Sequence, residues 1–339
     1  MINRKLVLAA RPISLIKNSD FRLVEEEVPS LTEGELLIQT HYLSLAPVMK
    51  FYMSDGAGIE NKLQFGETMR GRGVGQVVAS KNEAFQIGDY VHGKFGWQEY
   101  VISTASDYDM IYKVSQTSLP ISTSLGILGI TGYTSYFGLY EVGELKQGDN
   151  VLVSAAAGGV GSTVAGLAKI KGANVIGMTS TDEKKKLLTS HLYYDHAINY
   201  KTENIGEKID EYFPNGVDVY FDNVGGEILD LVLTKINQYA RVVCCGRIST
   251  YKDSLSEQNY HLKNWHRIGG QRARMQGFFI YDYKDRFPEA EKNMSQWIEQ
   301  GKLMYQEDIV EGLENMPQAL NRLFEGKNVG KQIVKVLIS

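Results

Sequence analysis

The residues with the clearest chemical meaning form a glycine-rich turn. Val151-Leu152-Val153-Ser154-Ala155-Ala156-Ala157-Gly158-Gly159-Val160-Gly161 reads as a buried strand that enters a turn of small residues and then opens a helix. A dinucleotide pyrophosphate needs this geometry. Gly158 lets the backbone approach the phosphates, and Gly161 lets the helix pack on the strand. The first N–H groups of the helix, with its positive dipole end, face the anion. Ala156 stands where this fingerprint has its first glycine, a mild departure. Glycines also make ordinary turns, so the context carries the reading: a strand before, a helix after and a second strand at the right distance.

The end of that second strand bears on the choice of nucleotide. A site for NAD places Asp or Glu about 20 residues on, to hold the ribose hydroxyls. Here the strand ends Met178-Thr179-Ser180-Thr181 without an acid. Asp182 and Glu183 follow, but at a helix start they serve the first-turn dipole. Lys184 is next and is able to reach a 2′-phosphate, which favours NADP(H). The alternative is that Lys184, Lys185 and Lys186 are simply a solvated run.

Other reactive side chains are few. The 2 cysteines, Cys244 and Cys245, are adjacent, so neither a disulfide framework nor a thiolate-rich zinc site can be built, and a reducing, cytoplasmic setting is expected. His41 and His92 are far apart in sequence and read as structural. The 36 Lys+Arg stand against 40 Asp+Glu, a net charge of -4, which disfavours a nucleic-acid partner despite His266, Arg267, Arg272 and Arg274. The early Arg11, Pro12 and Lys17 argue against a secretory leader. The stretch Ile121–Tyr140 has 20 uncharged residues, but six Ser or Thr and four Gly make it a buried segment rather than a membrane span.

These residues must be held by two kinds of architecture. With 339 residues, two domains are expected. The first third reads as β-rich, with strands over Glu35–Leu45, Val74–Ala79, Tyr90–His92 and Gln98–Ile102. The middle alternates: strands over Asn150–Ser154, Asn174–Met178, Val217–Asp222 and Arg241–Cys245, and helices over Gly159–Lys171, Asp182–Ser190 (capped by Thr181) and Gly226–Lys235. Such alternation implies a parallel sheet with right-handed crossovers. Met275–Ile280 reads as a late strand, Phe287–Gln300 as a helix and Gln332–Ile338 as a closing strand that is able to join the first domain.

Four runs then carry a resemblance: Asn150–Ser162, Asn199-Tyr200-Lys201, Tyr220-Phe221-Asp222-Asn223-Val224-Gly225-Gly226 and Cys245-Gly246-Arg247-Ile248-Ser249-Thr250-Tyr251. They are similar to the zinc-independent medium-chain dehydrogenase/reductases, and within these to the NADPH-dependent alkenal and enone reductases. Asn18-Ser19-Asp20-Phe21, Glu311–Pro317 and Asn328–Lys331 extend the resemblance over nearly the whole chain. It implies a doubly wound Rossmann NADP-binding domain over 121–309 and a GroES-like β-rich domain from 1–120 and 310–339. It implies cofactor contacts from Ala157, Gly158, Gly159 and Val160, from Lys184 and Tyr200 at the 2′-phosphate, and from Asn223 at a ribose. Cys245, Gly246, Ile248, Ser249 and Tyr251 would line the cofactor, followed by Phe278, Phe279 and Ile280, with Asn328 near the nicotinamide. It also implies a homodimer paired through sheet edges.

One departure concerns the substrate side. Relatives carry Asp-Pro-Tyr-Met, whose Tyr faces the substrate, whereas this chain reads Ala46-Pro47-Val48-Met49, and Tyr52 is no obvious replacement. The expected activity is metal-free hydride transfer to the β-carbon of an α,β-unsaturated aldehyde or ketone, with Tyr251 as the catalytic residue, either donating to the enolate oxygen or holding the ribose that does so. Phe95, Trp97, Tyr281 and Tyr283 are candidate pocket walls. A quinone reductase and a non-catalytic nucleotide-binding protein are the alternatives.

Overall fold

The computed structural model describes residues 1–54, 61–115, 118–251 and 260–337, with the side chains of Thr250 and Tyr251 excepted. The chain forms two compact units. One is Met1–Gly126 with Asp308–Lys327 and Gln332–Ser339; the other is Ile127–Glu307 with Asn328–Lys331. The change of unit falls after Gly126, a few residues beyond where the change of sequence rhythm places it.

The first unit begins with a hairpin the sequence reading passed over. β1 (Ile2–Leu8) pairs antiparallel with β2 (Phe21–Glu27), Leu6 opposite Leu23. Then come β3 (Leu36–Ser44), the single turn α1 (Met49–Tyr52), β4 (Arg72–Ser80), β5 (Tyr90–Lys94), β6 (Tyr100–Ser103) and β7 (Tyr112–Lys113). The aromatic rings of Phe95 and Trp97 are buried core, Trp97 packing on Phe21 at 5.0 Å, which corrects their reading as pocket walls. Tyr52 lies under Arg70, 5.7 Å from its guanidinium.

The second unit alternates strand and helix. After α2 (Ile130–Phe137) come β8 (Asn150–Val153), α3 (Gly161–Ile170), β9 (Asn174–Thr179), α4 (Asp182–His191), β10 (His196–Asn199), α5 (Ile205–Tyr212), β11 (Val217–Asp222), α6 (Gly226–Val232), β12 (Ile236–Cys244), α7 (His266–Gly270), β13 (Arg274–Gly277) and α8 (Phe287–Glu299). The sheet runs β10-β9-β8-β11-β12-β13, and every pairing is parallel. In order of appearance this is 3-2-1-4-5-6, the doubly wound dinucleotide-binding arrangement, whose order reverses between β8 and β11. Leu152, Ile176, Ile198, Tyr220 and Val242 from the sheet pack against Ile209, Phe213, Leu229 and Val232 in one core. Helices cover both faces, so the central strands are apolar throughout, as Val151-Leu152-Val153 is. β13 is the sheet edge and all four of its residues are exposed.

The chain then returns through β14 (Glu307–Glu311), α9 (Met316–Glu325) and β15 (Lys331–Lys335). β14 and β15 extend the first unit's sheet to seven strands, ordered β14-β15-β3-β4-β5-β7, with β6 also pairing β3. Among the described residues no helix is long and apolar enough to cross a membrane. The uncharged stretch from Ile121 is broken into a 3-10 turn, α2 and a π turn.

A buried histidine makes this first unit sensitive to acid. His92 on β5 lies opposite Val74 and stacks on Tyr112 at 4.8 Å. Burial, and then the charge of Arg72, hold its pKa well below 6.5. The unfolded chain therefore takes up a proton near pH 6.5 that the folded chain refuses. Stability is fully present above that pH and falls as the pH drops below it, by up to ~1.4 kcal/mol per unit. Urea unfolding at pH 7.5 and 5.5 should show His92→Phe losing less midpoint than the wild type over this interval; equal losses would contradict the assignment.

Candidate functional site

The site is built at the carboxyl ends of β8, β9, β11 and β12. Where β8 ends, Ala155 adopts a left-handed φ of 47° and Ala156 N–H donates to Met178 O at 2.9 Å, which anchors the turn to β9. A side chain on Gly161 would place its Cβ 2.5 Å from Ala155 O and 2.7 Å from Ala156 Cα, so α3 needs a glycine to start so close to the strand. Gly158 differs: its added Cβ would meet only Ala155 O, at 3.1 Å, which leaves the loop's outer side open for a ligand.

The departure at Ala156 has a local explanation on the next strand. A Cβ on Gly177 would fall 2.7 Å from the Ala156 methyl, 2.8 Å from the Tyr194 ring and 2.9 Å from Leu188. Gly177 leaves the room that Ala156 takes up. The loop has a second support from far along the chain: Gly330 N–H donates to Ala157 O at 2.7 Å, and Gly158 and Gly330 form an isolated parallel bridge.

At the end of β9 the three neighbouring lysines part company. Thr181 caps α4, accepting from Lys184 N–H at 3.3 Å, so α4 starts with Asp182 and Glu183 in its first turn. Lys186 is exposed, Lys185 pairs with Glu203 at 2.8 Å, and Lys184 is only 9% exposed. The Lys184 ammonium donates to Asn328 O at 2.7 Å. Beside the same strand end, Tyr200 N–H donates to Thr179 O at 3.0 Å, and its phenol is hydrogen-bonded to Ser180. Burial raises that phenol's pKa, so it stays protonated. A buried cation and two hydroxyls thus gather where an acid would otherwise hold a ribose.

Sequence reasoning missed the organiser of the β11 end. Asp222 is buried, and its carboxylate accepts from Ser154 Oγ at 3.0 Å, from Tyr220 Oη at 2.9 Å and from the N–H groups of Val224 and Gly225 at 3.0 Å each. Burial pushes its pKa up and these donors hold it down. The same Ser154 accepts from Asn223 N–H at 2.8 Å, while the Asn223 amide donates to Ser154 O at 2.8 Å. The turns after β8 and β11 are therefore locked together at the point where the strand order reverses. The run Tyr220–Gly226 contains this residue; only its contacts reveal what it does.

The remaining expected residues are placed as follows. Cys245 and Gly246 donate their N–H groups to Asp222 O at 2.9 and 3.0 Å, and Ser249 Oγ donates to Val224 O at 2.6 Å, so this segment lies over the start of α6. Burial and then the Asp222 charge push the Cys244 thiol to about 11 and the Cys245 thiol to about 12, and neither is a thiolate at neutral pH. Ile248–Tyr251 is a short 3-10 turn, and the side chain of Tyr251 lies outside the described residues. Met275–Ile280 is not one strand. β13 stops at Gly277, Phe278 packs by Phe221 and Gly138, Phe279 is 43% exposed, and Ile280 opens a 3-10 helix. Tyr283 stacks on Phe137 at 4.8 Å, and Tyr281 lies 5.1 Å from Phe279. Asn328 is set against Lys184, with its amide donating to Gly330 O at 2.9 Å.

The chain matches two family models, one described as the N-terminal domain of oxidoreductase over residues 4–111 and one described as zinc-binding dehydrogenase over residues 159–298. A Bacillus subtilis protein whose name describes an NADP-dependent oxidoreductase is 41% identical, over 98% of this chain and 97% of its own. The NADPH-dependent curcumin reductase of Escherichia coli is 38% identical over the same shares, and the 2-alkenal reductase (NADP(+)-dependent) of Nicotiana tabacum 37%. Among solved structures, CurA from Vibrio vulnificus in complex with NADPH superposes with a TM-score of 0.91 at 36% identity, covering 99% of this chain and 100% of that one.

The chain is a medium-chain dehydrogenase/reductase of the curcumin and alkenal reductase branch. It is an NADP-dependent oxidoreductase with a GroES-like unit and a Rossmann-like parallel sheet. The structure fits the phosphorylated coenzyme of this reductase family in two observations: the open side of Gly158, and the Lys184, Ser180 and Tyr200 cluster in place of an acid. Among the described residues no group of three or more His, Cys, Asp or Glu is placed to hold a metal.

Proposed function

We propose that this protein reduces the carbon–carbon double bond of α,β-unsaturated aldehydes and ketones at the expense of NADPH, without a metal. The observation that carries this reading is the end-to-end similarity to reductases named for curcumin and 2-alkenal substrates. When bound, the coenzyme supplies a hydride to the β-carbon. The electron pair of the double bond moves onto the carbonyl oxygen, a proton from solvent reaches the α-carbon, and one NADPH and one proton are consumed per saturated product. The chain's part is to position the two reactants, hold the coenzyme's phosphates and offer a hydrogen bond to the enolate oxygen.

In this reading Ala157–Val160 cradle the pyrophosphate, Lys184 and Tyr200 with Ser180 hold the 2′-phosphate, and Asn223, locked on Ser154, meets a ribose. The segment Cys245–Tyr251, Phe278–Ile280 and Asn328 complete the cofactor groove. Tyr251 is the donor: a phenol with pKa about 10 is protonated at neutral pH and stabilises a developing oxyanion. The decisive assay follows the reduced-nicotinamide absorbance with an enal such as nonenal, an enone and menadione. Turnover of the enal and enone above menadione is expected, and Tyr251→Phe should lower kcat by about 100-fold or more, the size of one lost oxyanion donor. A preference for menadione would overturn the double-bond reading; unchanged kcat in Tyr251→Phe would remove that residue from the mechanism.

A further inference from the structure

The glycine loop rests on the stem of a buried lysine that the expected cofactor set does not include. Lys331 starts β15 and is buried. Its stem runs along the inner side of the loop: Lys331 Cδ stands 3.4 Å, and Lys331 Cα 3.5 Å, from where a Cβ on Gly159 would be. The preceding residue, Gly330, is the one that bonds Ala157 and bridges Gly158, and Lys331 N–H donates to Gln306 O at 2.8 Å. The backbone therefore fixes Lys331 directly beneath the residues that approach the phosphates.

We propose that Lys331 is a further coenzyme-binding residue, a buried cation whose charge acts on the pyrophosphate through the glycine loop, so that binding of NADP(H) takes up a proton there above neutral pH. Glu307, at the start of β14, is the anion that acts on it; Tyr305 on the same segment is held protonated by burial and by Glu307; Lys184 reaches the same returning segment through Asn328 O. The loop from Ala155 to Gly161, and Thr131 of α2 beside it, carry no titratable group.

Burial lowers the Lys331 pKa to about 8, against the pull of Glu307. Above that pH the free protein loses this positive charge and keeps the carboxylate, so the loop becomes a poorer anion site. A bound pyrophosphate restores the charged form, and binding and protonation are linked.

Titration calorimetry of the full chain with NADPH tests this without reference to turnover. The 2′-phosphate, with a second pKa of about 6, is ionised throughout the range. Affinity should fall about fivefold between pH 7.5 and 9.5, and at pH 8.5 the measured heat should depend on the ionisation enthalpy of the buffer, as proton uptake requires. Lys331→Arg should bind with little change over this range. Glu307→Gln, which removes the anion that keeps the amine charged, should move the loss of affinity to lower pH. A wild type with constant affinity and buffer-independent heat would overturn the proposal, as would a Lys331→Arg variant that keeps the wild-type slope. Should the arginine variant not fold, a Glu307→Gln profile that coincides with the wild type overturns it equally.

Discussion

Two glycines three residues apart should respond to the same methyl group in opposite ways. In Gly161→Ala the new Cβ meets the backbone of Ala155 and Ala156 at 2.5 and 2.7 Å, and backbone cannot swing aside as a flexible side chain does. Overpacking of this kind costs about 1–3 kcal/mol, which lowers Tm by roughly 3–10 °C for a unit of this size. NADPH affinity falls with it, because the start of α3 moves away from the loop. In Gly158→Ala the methyl meets one carbonyl oxygen at 3.1 Å and otherwise points to open space. Its Tm should stay within about 2 °C of the wild type, since such a site has none of the features that make a substitution severe. The methyl would instead stand where the pyrophosphate approaches, so the NADPH dissociation constant should rise by about 10-fold or more. Thermal melts of both variants with calorimetric NADPH titrations separate the roles. A large drop in Tm for Gly158→Ala, or none for Gly161→Ala, would reverse the assignment.

The second large effect is expected at Lys184. Its ammonium is buried, bound to Asn328 O at 2.7 Å and fixed to the end of β9 by the Thr181 cap. A preplaced cation loses little freedom on meeting a 2′-phosphate, and a hydrogen bond to a charged group contributes about 1.5–3 kcal/mol. Lys184→Ala should therefore weaken NADPH by about 10- to 100-fold. NADH, which lacks the phosphate, should bind nearly as before. Equal weakening of both coenzymes would show that Lys184 acts by holding Asn328 rather than by reading the phosphate. Lys184→Met, which keeps the stem that fills this buried place, guards against a packing defect being read as lost charge.

Much of the second unit is legible locally because its signals are local. Thr181 before Asp182-Glu183-Lys184 marks a helix start by short-range hydrogen bonding alone, and the observed cap is that one. Val151–Val153 is apolar at every position because both faces of its strand are covered, and a parallel pattern needs no partner to be read. The misread pieces are those whose pattern has two meanings. The apolar run at Phe278–Ile280 has strand composition, yet the ladder takes the exposed Arg274–Gly277 instead, since β12 offers its edge there. β12 itself starts at Ile236, five residues before the apolar run suggests, as polar Asn237 and Gln238 carry no strand signal. The β1–β2 hairpin went unread because adjacent charges, Arg4-Lys5 in β1 and Glu25–Glu27 in β2, break the alternation of a half-buried strand, and 12 residues separate the two strands.

What the residues determined unaided is the class of molecule: small residues at fixed spacing between a buried strand and a helix can pass a phosphate, and a strand end without an acid disfavours the unphosphorylated coenzyme. Tertiary structure decided everything that depends on residues distant in sequence. It buried Lys184 and left Lys186 in solvent, set Asp222 against Ser154, let Gly177 make room for Ala156, and brought Lys331 under a loop some 170 residues before it. The reason is physical: spacing along a chain specifies only contacts within a few residues, whereas burial and charge pairing are settled by which strands become neighbours.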